Sequence, residues 1–425
     1  MARRIASPPH PGDLRVLYLG RQQEAVDALT RLGAAVTCVM QPTEREKALR
    51  EGFGGALAVA GDHTCVEDVL GALADLGLAP EDFSLVCTED EFAIVTAAVL
   101  DGRDGPAVAA ALALRDKGLQ KRLVRAAGIP TADWARFPDL TAVAGAVERG
   151  ALRFPFVVKP PAGAGAQHTW VVAGREGPDG LDALLRRPGT PAGPWLAEAF
   201  VPGEELHVDG VVRDGRVLLA SVSRYLHNVV DVHRGRLVAS ATLDDDAERD
   251  LIRAATDLTE RSLAALGRTD GVFHLEAFHR DGVLTFGECA GRIGGGLILE
   301  AVRRKHGIDL YHEWAAAVLG RPSSVTGGGP GPVKDSFGWV NLAAPPGRIR
   351  ELPSREALEA RPGVVEGQLW AAPGEVVGDL SQGSHLLVAK ALVQAPSEAA
   401  ARSQLLDVAA WFGEELRVDP LDGTA

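Results

Sequence analysis

"GVFHLEAFHRDGVLTFGECAGRIGGG", residues 271–296, joins two apolar runs through a turn centred on Asp281-Gly282 and ends in a glycine triplet. Each run carries one acid, Glu276 or Glu288. Apolar–polar alternation on both sides of an Asp-Gly pair predicts a β-hairpin. A two-residue loop at Asp281-Gly282 sets Glu276 opposite Gly287, whereas a three-residue loop, residues 281–283, sets it opposite Glu288. In the second register the acids lie about 5 Å apart at Cβ and repel each other unless something positive sits between them. Hard carboxylate oxygens on rigid strands suit Mg²⁺, which takes one or two carboxylates together with phosphate oxygens. Solvated acids on the wet face of a hairpin are the competing reading. The triplet Gly294-Gly295-Gly296 favours a site, because it lets backbone approach a ligand and precedes a helical pattern whose first N–H groups attract an anion. Arg292 stands just before it.

The whole chain bounds what such a site serves. Its 425 residues, 46% hydrophobic and 24% charged, are those of a globular protein of two to four units. Net charge is −13 and the longest basic run is Arg303-Arg304-Lys305, so nucleic acid and anionic membrane are poor partners. An anionic substrate would need a local cluster of cations. No run reaches the roughly 18 apolar residues of a transmembrane helix, and a soluble cytoplasmic protein is expected. The opening "MARRIASPPHPG" reads as a disordered tail, residues 1–13. Cys38, Cys65, Cys87 and Cys289 form no CxxC pair, so neither zinc nor a disulfide framework is indicated. His227 and His233 have no metal-ligand spacing either.

Strand and helix patterns alternate from "LRVLYLG" (residues 14–20) to about residue 115, which predicts a parallel sheet with covering helices. The first turn lacks G-x-G-x-x-G, so a dinucleotide site is not supported there. "RDKGLQKRLVRAAGIP" predicts a helix stopped by Gly128 and Pro130, opening a second unit. Short strands dominate residues 154–238; helical patterns return before the hairpin and again over residues 297–319. "SSVTGGGPGP", residues 323–332, reads as a Gly/Pro-rich loop, and a final helix follows "GSHLLVAKALVQA".

Two further stretches carry chemistry. "FPFVVKPPAGAGAQHTWVV" places Lys159 at the end of a buried strand, followed by a glycine turn containing Gly163, Gly165 and Ala166, then a second strand. That arrangement makes a hinged flap whose N–H groups can cover phosphates. It is not a P-loop, because G-x-x-x-x-G-K-[ST] is absent, and "HRD" at residues 279–281 lacks a kinase's Asn. A snorkelling lysine and an ordinary hairpin are the plainer alternatives. "WLAEAFVPGEELHVDGVV" offers Glu198, the apolar Phe200-Val201, a Pro-Gly turn and Glu205, suited to a flat apolar slot and a sugar diol.

Taken in this order, these pieces resemble the ATP-grasp superfamily, and within it the carboxylate–amine ligases, including L-amino-acid (dipeptide) ligases and biotin carboxylase-like enzymes. The resemblance covers about residues 80–300. It implies an α/β and α+β fold: an N-terminal parallel-sheet domain (14–115), a central lid (116–200) and a C-terminal α+β body (201–425). It implies that Lys117 and Lys159 bind ATP, that Glu198 with the Phe200-Val201 backbone forms the adenine hinge, and that Glu205 binds the ribose. Glu276 and Glu288 are implied to hold one or two Mg²⁺, with Mn²⁺ as a substitute, and Arg292 to steady the reacting carboxylate. Two departures stand out. Ala290 occupies the place of an Asn that often serves as a metal ligand, and the flap lacks the usual serine.

The implied reaction activates a carboxylate as an acyl phosphate, releases ADP, and passes the acyl group to an amine. Small-molecule carboxylates and amines are then the partners, and a homodimer is expected by resemblance only. No protein nucleophile is needed, and the sequence offers no defensible Ser-His-Asp or Cys-His set. Glu288, Lys159 and Arg292 would carry the chemistry, with Gly294, Gly295 and Gly296 near the substrate. Arg224 and His227 are candidates for the specificity pocket, an exposed sheet face being the equal alternative. His274 alternates onto the face of Glu276 and is a candidate nucleotide contact or a packed structural histidine. A carboxylase, a thioester synthetase, a phosphotransferase and a nucleotide-binding regulator remain as rivals.

Overall fold

The computed structural model describes residues 14–50, 53, 55–102, 105–325, 333–379 and 382–420. The expected tail, residues 1–13, and most of the expected Gly/Pro-rich loop, residues 326–332, lie outside these. Four sheets organise the rest. Strands Leu14–Leu19, Ala34–Met40, Ala56–Val59 and Leu85–Cys87 form a parallel sheet in which the first strand is central, flanked by the second and fourth. Its apolar runs are buried on both faces because helices cover them, as parallel connections require.

Helix Lys117–Ala126 is capped by Asp116, whose side chain accepts from the Leu119 N–H. It leads to a four-stranded antiparallel sheet containing Phe156–Lys159, Trp170–Val172 and Trp195–Ala199. Beyond it an eight-stranded antiparallel sheet runs across the body. The hairpin strands Gly271–Arg280 and Val283–Ala290 form one end of that sheet, and Glu204–Arg213 pairs with the inner hairpin strand over nine residue pairs. Helix Arg249–Leu266 buries one face against the sheet.

The single helix expected over residues 297–319 is two helices, Ile298–His306 and Leu310–Val318. Gly307 adopts φ +71° and closes the first, and Asp309 caps the second through the Tyr311 and His312 N–H groups. Among the described residues no helix is long and apolar enough to cross a membrane.

Candidate functional site

The hairpin reaches the Glu276–Glu288 pairing by a different route from the three-residue loop. The turn is the two-residue one, Asp281 and Gly282 both with positive φ (51° and 78°), and Arg280 pairs with Val283. Pairing continues to Ala277 opposite Phe286, then skips Gly287, so that Glu276 faces Glu288. Strict alternation would send Glu288 to the same side as Phe286, into the core; the one-residue bulge swings it back beside Glu276. Gly287 fits because a Cβ there would come within 2.9 Å of the Glu276 carbonyl oxygen.

Beneath Glu276 lies a buried polar chain. His274 Nε2 is 3.4 Å from Glu276 Oε1, and its Nδ1 is 2.8 Å from Asp209 Oδ1. Asp209 Oδ2 bonds His207 Nδ1, whose Nε2 meets Ser240 Oγ at 2.8 Å. His207, Asp209 and His274 bring metal-capable atoms within 4.8 Å of one another, but hydrogen bonds within the chain already use those atoms. Burial alone would lower the His274 pKa; Asp209, then Glu276, outweigh it and push it up to about 10.

Across the cavity stand three lysines. Lys159 Nζ binds Glu198 Oε1 at 2.6 Å and is 3.6 Å from Glu288 Oε2. Lys117 Nζ donates to the flap carbonyl of Gly163 at 2.6 Å and lies 3.4 Å from Glu288 Oε2. Lys121, only 2% exposed, binds Glu198 Oε2 at 2.6 Å and the Gly287 carbonyl at 3.1 Å. Burial would raise the Glu288 carboxyl, yet Lys117, Lys159 and Lys121 together hold it down at about 2. Burial works against the Lys159 ammonium, but Glu198 and Glu288 keep it above the ordinary lysine value. The Glu198 carboxylate is therefore committed to Lys121 and Lys159, and residues 199–201 beside it also line the cavity.

The flap is held from both sides. Arg115 donates to the Ala162 and Gly163 carbonyls, while the Ser384 N–H donates to Gly165 O at 2.8 Å and His233 Nε2 meets Ala166 O at 2.9 Å. Glu205 accepts from the Val229 N–H at 2.7 Å; burial, then repulsion from Glu276, raises its pKa well above the usual range.

Arg292 Nε donates to Glu91 Oε2 at 2.6 Å and Nη1 to its neighbour's carbonyl, Ile293 O, at 2.7 Å. Glu91 also faces Arg115 at 3.4 Å. The adjacent Glu89 accepts from the Ile293 N–H. Both acids follow strand Leu85–Cys87 of the parallel sheet.

Lys117, Lys159, Gly163, Gly165, Ala166, Glu198, Phe200, Val201, Glu205, Glu276, Glu288, Arg292, Gly295 and Gly296 all line one cavity of about 520 Å³. Three expectations are corrected. Arg224 is turned away from the cavity and pairs with Glu204, Glu248 and Glu398, while its neighbour Tyr225 faces in. His227 is not among the lining residues. Gly294 serves packing, since a Cβ would come within 2.6 Å of Asp209 Oδ1 and 2.8 Å of His274 Nδ1. Sequence reasoning missed Lys121, Glu89 and Glu91. The i, i+4 spacing of Lys117 and Lys121 on one helix face was a usable signal, as were acids at the C-terminal end of a parallel strand, where such sheets present groups to ligands.

The donor set fits a hard divalent cation. Glu276 and Glu288 face each other from paired strands, and both line the cavity that the lysines enter. Ala290 is buried opposite His274 and offers no donor from its side chain.

No family model matches the chain. The L-arginine-specific L-amino acid ligase of Bacillus subtilis is 28% identical over 316 residues, 71% of this chain and 73% of that protein. Among solved structures, the L-amino acid ligase of Bacillus licheniformis superposes with a TM-score of 0.72 at 17% identity, covering 96% of this chain and 99% of that one. A carboxyaminoimidazole ribonucleotide synthase from Aspergillus clavatus, solved with ATP, gives 0.68 at 18% identity over 94% and 99%. At these identities the solved structures establish the fold.

Proposed function

We propose that this ATP-grasp ligase joins the carboxylate of one amino acid to the amine of another, through an acyl phosphate, with release of ADP and phosphate. The observation that carries the reading is the convergence of Lys117, Lys159, Glu276, Glu288 and Arg292 on one cavity, with the two glutamates in direct register. The similarity to an L-amino acid ligase supports amino acids as substrates, and arginine is the first to test.

Glu276 and Glu288 would hold Mg²⁺, which when bound supplies charge neutralisation at the phosphates. The chain's own groups do the rest. Lys117 and Lys159 balance negative charge on the transferring phosphoryl group from fixed positions, where little reorganisation is needed. Of the five N–H donors of Arg292, two are accounted for by Glu91 and Ile293 O, so the Nη edge is left to grip a carboxylate. The flap excludes water that would hydrolyse an acyl phosphate. We place the enzyme in the cytoplasm, where ATP and amino acids are abundant.

The test is ADP and phosphate release from Mg-ATP with each amino acid alone and in pairs, followed by mass spectrometry. ADP and phosphate appearing with a dehydrated dimer mass would support the reading. AMP instead of ADP, or turnover that requires bicarbonate or a thiol, would overturn it.

A further inference from the structure

An amine cannot attack an acyl phosphate while it is an ammonium, so a ligase working near neutral pH must remove a proton at the site. The groups described so far are committed elsewhere. Glu198 binds two lysines, and Glu276 and Glu288, which face each other, would hold the cation. Glu91 binds Arg292 and Arg115. Asp90 binds His63 at 2.8 Å and the Phe92 N–H. Glu205 accepts from the Val229 N–H and lies within range of the Glu276 charge.

Glu89 is different. It is 6% exposed, it lines the cavity next to Arg292 and Ile293, and its Oε1 is fixed by the Ile293 N–H. Among the described residues no lysine, arginine or histidine lies within ion-pair distance of it. It therefore stands as a buried carboxyl group beside Arg292, with no ion-pair partner of its own. We propose that Glu89 receives the ammonium of the amine substrate and takes its proton for attack on the activated carboxylate. This assignment rests on the ligase reading above.

Electrostatics agrees with the geometry. Burial pushes the Glu89 carboxyl up to about 8; the Ile293 N–H and Arg292 oppose this, and Asp90 and Glu91 reinforce it. The other groups that feel its charge are Tyr18 on the first strand, Tyr311 on helix Leu310–Val318 and Arg268. A carboxyl so tuned approaches the basicity of the amine it must serve. The balance closes as follows. Glu89 accepts one proton from the ammonium, and the nitrogen lone pair forms the C–N bond. The C–O bond to phosphate breaks with its electron pair on the phosphate oxygen. The second proton lost by nitrogen leaves with phosphate as HPO₄²⁻, and Glu89 returns its own proton to solvent.

Hydroxylamine is the probe, because it is a weak base, neutral at assay pH, and traps acyl phosphates as hydroxamates without needing a proton acceptor. Wild type, Glu89→Gln and Glu89→Asp would be compared with hydroxylamine and with the amino-acid amine. Glu89→Gln is expected to lose about 100-fold in kcat/KM for the amino acid, and its rising pH limb near 8, while hydroxamate formation stays within about 3-fold of wild type. Glu89→Asp is expected to recover part of the amine activity. Equal loss with both acceptors, or no loss with either, would overturn the assignment. If wild type forms neither hydroxamate nor amide from any amino acid, the ligase reading itself fails and Glu89 falls with it.

Discussion

Glu91, on the loop after the last strand of the N-terminal sheet, holds Arg292 of the body at 2.6 Å across 201 residues of sequence. The pair sets the direction of the guanidinium edge that faces the cavity, so Glu91 is a positioning residue. Replacing it with Gln keeps the shape but weakens the charge-assisted bond. We expect KM for the carboxylate substrate to rise about 10- to 100-fold, with the dissociation constant for ATP nearly unchanged. Equal effects on both ligands would argue for general disruption instead.

Lys117, Lys159 and Lys121 hold the Glu288 carboxyl down at about 2, so it is an anion at neutral pH. Glu288→Gln removes that charge while keeping the fold, and turnover should fall by about 100-fold or more. Titrating activity and nucleotide binding against Mg²⁺ separates a cation role from a structural one. Normal turnover at ordinary Mg²⁺ would remove Glu288 from the site.

Lys121 lies at the floor of the cavity, only 2% exposed, where it shares Glu198 with Lys159 and satisfies the Gly287 carbonyl. Lys121→Met leaves that carbonyl without its cation and gives Glu198 entirely to Lys159. Stability should drop by about 3 kcal/mol in urea denaturation, accompanied by weaker ATP binding. An unchanged urea midpoint would show that the buried pair contributes little.

Glu89 gives stability a pH signature of definite sign. Its folded pKa, about 8, is above its ordinary 4.5, so the folded state prefers the protonated acid. Its contribution is complete below 4.5 and is lost as pH rises through about 8. Wild-type stability should therefore fall relative to Glu89→Gln across that window, by up to about 1.4 kcal/mol per pH unit. A pH-independent difference between the two proteins would refute this.

How much of this was legible in advance follows from the range of each interaction. Alternation and turn residues placed the hairpin because those signals lie within a few residues of one another, whereas Lys117, Lys159 and Arg292, which line one cavity, were singled out by the resemblance in motif order across 175 residues. Arg224 stayed open between pocket and sheet face because strand alternation says that Arg224 and Tyr225 point oppositely, not which of them faces the cavity. That choice is made by Glu204, Glu248 and Glu398, the last 174 residues further along the chain. Glu89 and Glu91 escaped notice for the same reason: nothing local links them to Arg292. The facing of Glu276 and Glu288 was anticipated through a turn that the chain does not use.

The bulge at Gly287 has a consequence for how the gene could be rearranged. The extra residue that brings the two acids together lies beside them, and the Asp281-Gly282 tip contributes only closure. Glu276 is also fixed from its other side by pairing with His207. The tip is thus a place where the polypeptide tolerates editing: an inserted peptide, or new termini made by circular permutation at Asp281-Gly282, should leave the acids aligned. Removing the irregularity at Gly287 would instead bring the ladder back to simple alternation there and withdraw the carbonyl that Lys121 grips.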